Sequence, residues 1–191
     1  ARKADIELPF TPIEGPYDRM LGKEEPMSCD AEKKRQIFDP VQMYPIFENA
    51  LRYARGESIE EHIIRVSELW AGFSKVAGDN PDAWISEPLD AKTIRTAGPR
   101  NRMVSFPYPK LMNSNNAVDM AACIIMCSAQ KAQSLGIPED KWVYPWTGTD
   151  AHDTYFVSGR ENLHSSPAIR IAGRRALDLA GIGVDDIDLV D

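Results

Sequence analysis

The feature that most constrains this chain is an unbroken apolar run of eight residues, Met120 to Cys127 (MAACIIMC), followed at once by the polar SAQKAQSLG. With no polar residue on either alternating face, such a run suits a β-strand covered on both sides, which requires packed layers above and below it. The polar stretch then reads as a helix closed by Gly136. Trp142 to Thr147 reads as a second strand. Ser166 caps a further helix with Pro167 at its first position. Ile169, Ala172, Ala176, Leu177 and Ala180 face inward there, and Gly181 stops the helix. Ile187 to Val190 begins a third strand. Strand, helix, strand, helix, strand predicts an α/β layered sheet. The apolar run is also far short of the roughly 20 residues that span a bilayer, so no membrane span is expected.

The first part of the chain reads differently. Residues 1 to 40 carry Pro9, Pro12, Pro16, Pro26 and Pro40 with Gly15 and Gly22, a density that predicts an extended arm with short turns. Ile46, Phe47, Ala50, Leu51 and Ala54 then form one helical stripe over about residues 45 to 55, ended by Gly56. Ser58 with Glu61 forms a capping box. Ile59, Ile63, Val66, Trp70, Phe73 and Ala77 follow at steps of four and three, which predicts a long amphipathic helix ended by Gly78-Asp79-Asn80-Pro81. The two helices make a hairpin, and Trp84 to Pro109 is expected to be irregular.

Charge and cysteine usage narrow the function classes. The 22 Lys+Arg against 29 Asp+Glu leave a net charge of −7, which favours neither phosphate backbones nor anionic lipid surfaces, so no nucleic-acid partner is expected. At 43% hydrophobic and 27% charged residues, the composition fits a globular protein with a real core. Cys29, Cys123 and Cys127 are an odd and sparse set for a disulfide scaffold, and the opening ARKADIELPF has no apolar core of a secretory signal. Both point to reduced thiols in a cytoplasm. The chain opens in a charged, helix-like stretch and closes on the alternating IDLVD, an arrangement expected of a piece of a longer protein.

Candidate chemical groups are few. Cys127 sits where a strand hands over to a helix, where amide dipoles lower a thiol pKa, yet Cys123 lies four residues back and both read as core filler. Cys29, in a polar arm, has no base beside it. His152 between Asp150 and Asp153, with His164 beyond, matches no metal-ligand spacing and reads as a hydrogen-bonding loop; no metal site is expected. His62 reads as a solvated position on the long helix. Gly181-Ile182-Gly183 follows a helix and opens none, so it is a turn and not a dinucleotide loop. Arg170, Arg174 and Arg175 read as a solvated face. The amide-rich LMNSNNAVD before the apolar run must satisfy many donors and acceptors in a tight loop. Such a loop holds a ligand or locks two domains together, and residue chemistry alone does not choose between them.

The order of these pieces resembles the thiolase superfamily, specifically its acetyl-CoA acetyltransferases near the sterol carrier protein X type. Asn113-Ser-Asn-Asn-Ala-Val-Asp-Met-Ala-Ala-Cys123 resembles the family's asparagine-containing loop, with Asp119 opening the last strand of its first half. Ser165 to Asp191 is similar to the helix and strand leading to the family's Asn-Glu-Ala-Phe or His-Asp-Cys-Phe motif. Pro40 to Tyr44 resembles the covering segment that touches pantetheine, and Ser58-Ile-Glu-Glu the start of the long helix of the inserted loop domain.

The resemblance spans about residues 40 to 191 and implies a thiolase-like fold: a helical loop domain over 40–112, the last strand and helix of the first half over 113–137, and the beginning of the second half over 138–191. Residues 1–39 are a lead-in. It further implies a coenzyme A thioester as substrate, with no permanently bound cofactor, contacted by Gln42, Met43, Asn113 and Asn115. Leu163 and His164 would stand in the wall of the acyl cavity, on a loop longer than in degradative thiolases. Asn115 occupies a position where many thiolases carry a pantetheine-contacting serine, and Asp119-Met-Ala-Ala replaces Asp-Gly-Ala-Ala. None of the family's catalytic cysteines, histidine or asparagine has a counterpart here, so this chain is expected to be inactive alone. The parent protein is expected to be an acyltransferase of lipid metabolism and a homodimer or tetramer. Two alternatives share the fold: a retro-aldolase acting on steroid side-chain thioesters, and a non-catalytic acyl-CoA binding protein.

Overall fold

The computed structural model describes residues 15, 22, 25–37, 39–115, 118 and 121–191. Most of the proline-rich arm lies outside the described residues, as do Asn116, Asp119 and Met120. In chain order the elements are α1 (Asp30–Lys34), α2 (Pro40–Ala54), α3 (Ile59–Gly78), α4 (Ala91–Arg95), β1 (Met103–Ser105), β2 (Tyr108–Pro109), α5 (Ala129–Ser134) and α6 (Pro167–Ala180). Short 3-10 turns lie at Lys110–Met112, Glu139–Lys141, Val157–Gly159 and Val184–Asp186.

Helix starts follow local capping chemistry. The Ser58 hydroxyl accepts from the Glu61 amide at 3.2 Å, and the Glu61 carboxylate accepts from the Ser58 amide at 2.8 Å, which completes the expected box and starts α3 at Ile59. Gly56, at φ +71°, takes the left-handed conformation that closes α2. Helix α2 begins at Pro40, earlier than the expected residue 45, because Pro40 fills the first helical position and Gln42 reaches back to accept from the Asp39 amide at 3.1 Å. Pro45 then sits inside the helix and removes one amide donor, and its own carbonyl accepts from Asn49 Nδ2 at 2.8 Å. In the arm, Glu32 accepts from the Cys29 amide at 2.9 Å and so starts the short helix α1, which proline and glycine density had hidden.

The core is small and lies between the long helix and the segment expected to be irregular. Val66, Ile94 and Met112 are buried, with Trp70, Ala71, Leu89, Tyr108 and Leu111 packed against them. Residues 84–109 are more ordered than expected: they contain α4 and the antiparallel pair β1–β2, with Met103 opposite Pro109 and Ser105 opposite Tyr108 across a bulge. Buried Asn101 organises this segment. Its Nδ2 donates to the carbonyls of Thr93, Ile94 and Thr96 at 3.3, 2.9 and 3.0 Å, and its Oδ1 accepts from the Leu111 amide at 2.9 Å. At the end of α3, a Cβ on Gly78 would stand 2.7 Å from Pro88 Cγ, so only glycine admits the returning chain there.

The three strands expected at 120–127, 142–147 and 187–190 do not form among the described residues; β1 and β2 make the one sheet there. Ile125, Val143 and Val190 are 83%, 90% and 90% exposed. A strand is completed by the neighbour that accepts its hydrogen bonds, and no such neighbour lies beside these runs among the described residues. Helix α6 starts at Pro167 behind its Ser166 cap, as expected, and stops before Gly181, but Ile169 on its expected inward face is exposed.

The same absence of a covering layer reverses the cysteine expectation. Cys123 and Cys127 are exposed, whereas Cys29 is half-buried with its Sγ 3.7 Å from the Ser158 hydroxyl. Alkylation with iodoacetamide followed by peptide mass mapping is expected to modify Cys123 and Cys127 before Cys29. Faster reaction at Cys29 contradicts this packing.

Candidate functional site

One face of α2 builds a cavity. Pro40, Tyr44, Phe47, Glu48 and Leu51 recur at steps of three and four, so they fall on one side of the helix. That side looks onto Trp70 of α3, Tyr108 of β2, and Met112, Asn113 and Ser114 of the amide-rich loop, enclosing a cavity of about 470 Å3. Its size is that of a small-molecule site, and its wall is mostly apolar and aromatic.

Behind this wall lies a charged network that the sequence reading missed. His62 is 1% exposed, not solvated as expected. Its Nδ1 stands 2.6 Å from Glu57 Oε2, and its Nε2 lies 2.8 Å from Glu48 Oε1 but off hydrogen-bond alignment. Arg65 donates to both oxygens of Glu57 from Nε at 2.7 Å and from Nη2 at 3.1 Å. The Arg65 guanidinium first, and the His62 contact second, hold the Glu57 carboxyl well below the usual carboxylate range. Tyr108 donates its hydroxyl proton to Glu48 Oε2. Burial first, then that carboxylate, pushes the Tyr108 phenol well above its ordinary value, so the proton stays on the tyrosine. The helical spacing carried the missing signal. His62 aligns with Val66 and Phe73 at i, i+4 and i+11, inside the apolar stripe and not opposite it.

A second cavity, of about 570 Å3, opens on the other side of Phe47 and Leu51, which line both. Its far wall is the loop carrying His152, Asp153, Tyr155, Arg160, Leu163 and His164, together with the start of α6. Asp153 positions that wall. Its Oδ2 accepts from the Ser166 hydroxyl at 2.5 Å and from Arg160 Nη1 at 3.1 Å, while its Oδ1 accepts from the Ala168 amide at 3.0 Å. The Ser166 hydroxyl first, and the Ala168 amide second, lower the Asp153 pKa. The Arg160 guanidinium lies 5.2 Å over the Phe47 ring, which ties the loop to α2.

The residues singled out in the sequence are distributed as follows. Asn113 lines the first cavity, its Nδ2 donating to the Pro109 carbonyl at 2.9 Å. Leu163 and His164 line the second. Gln42 caps α2, and Met43 is half-buried on α2 beside the cavity-lining stripe. Asn115 is exposed. His152 is exposed and tilts against Tyr155, and Arg170, Arg174 and Arg175 are exposed along α6. Among the described residues, no group of three His, Cys, Asp or Glu side chains is arranged to hold a metal ion, and no helix is long and apolar enough to cross a membrane.

The fold of this chain is similar to that of a solved thiolase-like protein. A monomeric SCP2-thiolase-like protein of type 1 from Mycobacterium smegmatis matches 86% of this chain at 33% identity with a TM-score of 0.67, and the match covers 36% of that protein. An acetyl-CoA acetyltransferase from Methanocaldococcus jannaschii is 29% identical over 108 residues, covering 48% of this chain and 27% of its own length. The chain matches no profile of a known protein family. The likeness in fold and sequence supports a thiolase-superfamily segment of the SCP2 type, with the α/β thiolase-like fold that the resemblance implied. It spans about a third of the length of the relatives it matches.

Proposed function

We propose that the protein containing this chain is a coenzyme A-dependent acyltransferase of thiolase type, acting on acyl thioesters in the cytoplasm. The observation that carries this reading is the 33% identity to the SCP2-thiolase-like fold over 86% of the chain. In such chemistry a thiolate takes the acyl group from one thioester, and an oxyanion hole stabilises the enolate of the second. This chain contributes binding surface and not catalytic groups. Met43, Asn113 and Asn115 line the path of the pantetheine arm, Gln42 sets the start of the helix that bears Met43, and Leu163 and His164 bound the acyl end. Met43 supplies an adaptable apolar contact, and the asparagine amides supply donors and acceptors for the amides of the arm. The homodimer or tetramer expected of the intact protein rests on the resemblance alone, and the M. smegmatis relative is described as monomeric.

Two measurements test the reading. The chain by itself is expected to show no thiolysis of acetoacetyl-CoA. In the intact protein, Met43→Asp is expected to weaken coenzyme A binding by about tenfold or more, roughly 1.4 kcal/mol, with the circular dichroism spectrum unchanged. Turnover by the isolated chain, or unchanged affinity in the variant, removes the proposed division of labour.

A further inference from the structure

We propose that the first cavity is a recognition site for an apolar ligand carrying a hydroxyl group, with the Glu48 carboxylate as the acceptor. Among the described residues that line it, Glu48 is the one charged side chain, set among Val41, Tyr44, Phe47, Leu51, Trp70 and Met112. A carboxylate in an apolar wall needs compensation, and the Tyr108 hydroxyl supplies it on Oε2 from behind, with His62 Nε2 standing 2.8 Å from Oε1. Each carboxylate oxygen has two acceptor sites, so these contacts leave capacity on both. The Glu48 side chain is 21% exposed, and the space it reaches is the cavity.

The polarity of the site follows. The Tyr108 proton is committed to Glu48, and one of the two Asn113 Nδ2 hydrogens goes to the Pro109 carbonyl. What the site offers at Glu48 is therefore an acceptor, which selects a ligand that donates. A hydroxyl suffices. A full positive charge gains little over a hydroxyl, because the Tyr108 proton already sits on this carboxylate and the Arg65 guanidinium, paired with Glu57, also acts on it through space. Aliphatic or alicyclic alcohols fit both the apolar wall and the charged acceptor at Glu48. The probes below carry no thioester, so the outcome is independent of the coenzyme A reading.

The test is isothermal titration calorimetry of the chain with three probes of matched length: n-octanol, heptyl methyl ether, which cannot donate, and octylammonium. The expected result is that n-octanol binds about tenfold more tightly than the ether, the difference set by one hydrogen bond to a charged acceptor. Octylammonium is expected to bind no more tightly than the alcohol. Glu48→Gln should bring alcohol and ether within about twofold of each other, while Tyr108→Phe, which frees an acceptor site on Oε2, keeps the preference for the alcohol. Met112→Trp, which fills the cavity, should weaken alcohol and ether together. Equal affinity for alcohol and ether in the unaltered chain overturns the proposal without any variant. So does a preference that survives Glu48→Gln, or alcohol binding that survives Met112→Trp. Octylammonium binding tenfold tighter than the alcohol overturns it in favour of a cation site.

Discussion

Replacing His62 with alanine is expected to lower the unfolding free energy by roughly 2–4 kcal/mol, read from the shift of the urea midpoint. The ring stands between the carboxylates of Glu48 on α2 and Glu57 before α3, and it is fully buried. Alanine removes the group that both carboxylates face and leaves a void between the hairpin helices. The Glu57 carboxylate keeps Arg65, so the loss falls mainly on the Glu48 side and on the packing of α2 against α3. Acid adds a second readout with a defined sign. The pKa of Glu57 is lowered from about 4.5 in the folded protein, by Arg65 first and His62 second. Its contribution is therefore present above that ordinary value and is lost as the pH falls below it toward the folded value. Arg65→Met should flatten the loss of stability below about pH 4.5, because the first cause of the shift is gone. A His62→Ala midpoint equal to that of the unaltered chain shows that the network does not hold the hairpin.

Amide exchange over residues 121–127 is expected to run near the free-chain rate in this chain, and about a thousandfold slower or more in an intact thiolase-type protein containing it. The run holds Ile124, Ile125 and Met126, all largely exposed, with no ladder partner among the described residues. Exposed apolar backbone of this kind is completed by neighbouring strands, which supply acceptors for its amides and a layer for its side chains. The amides of α3 serve as the internal control, since their partners lie within the helix and should exchange slowly in both. Strong protection of 121–127 in the chain alone, or none in the intact protein, contradicts the strand reading. The segment from Ile187 to Val190 is expected to behave likewise.

Helices were legible in the sequence because their chemistry is local. Ser58 with Glu61, and Ser166 before Pro167, mark starts through hydrogen bonds that span three residues, and both helices begin where the pattern put them. Asp39 with Gln42 is the same device, and it starts α2 at Pro40, before the apolar stripe begins, with Pro45 as a tolerated interior position. The α3 stripe marks the covered face only in part: Val66 is buried, but Ile59 and Phe73 are exposed, and His62 and Ser67 are buried beside Val66. A polar residue on an apolar face looks anomalous in one dimension. Only the carboxylates of Glu48, fourteen residues away, and Glu57, five away, make the burial of His62 affordable.

The sequence by itself determined where α3 lies, the end of α2, the cap and end of α6, and the resemblance to thiolases that the solved relative bears out. Caps, stops and helical periodicity act over one turn, so neighbouring residues suffice to specify them. The tertiary structure decided what depends on distant partners: which face of α2 lines a cavity, the Asn101 pin between α4 and the following turn, and the ion network around His62. It also decided that the apolar runs are not strands among the described residues. An apolar sequence supplies the tendency to form a sheet, but the hydrogen bonds that make a strand belong to a pair of segments, and one segment cannot encode its partner.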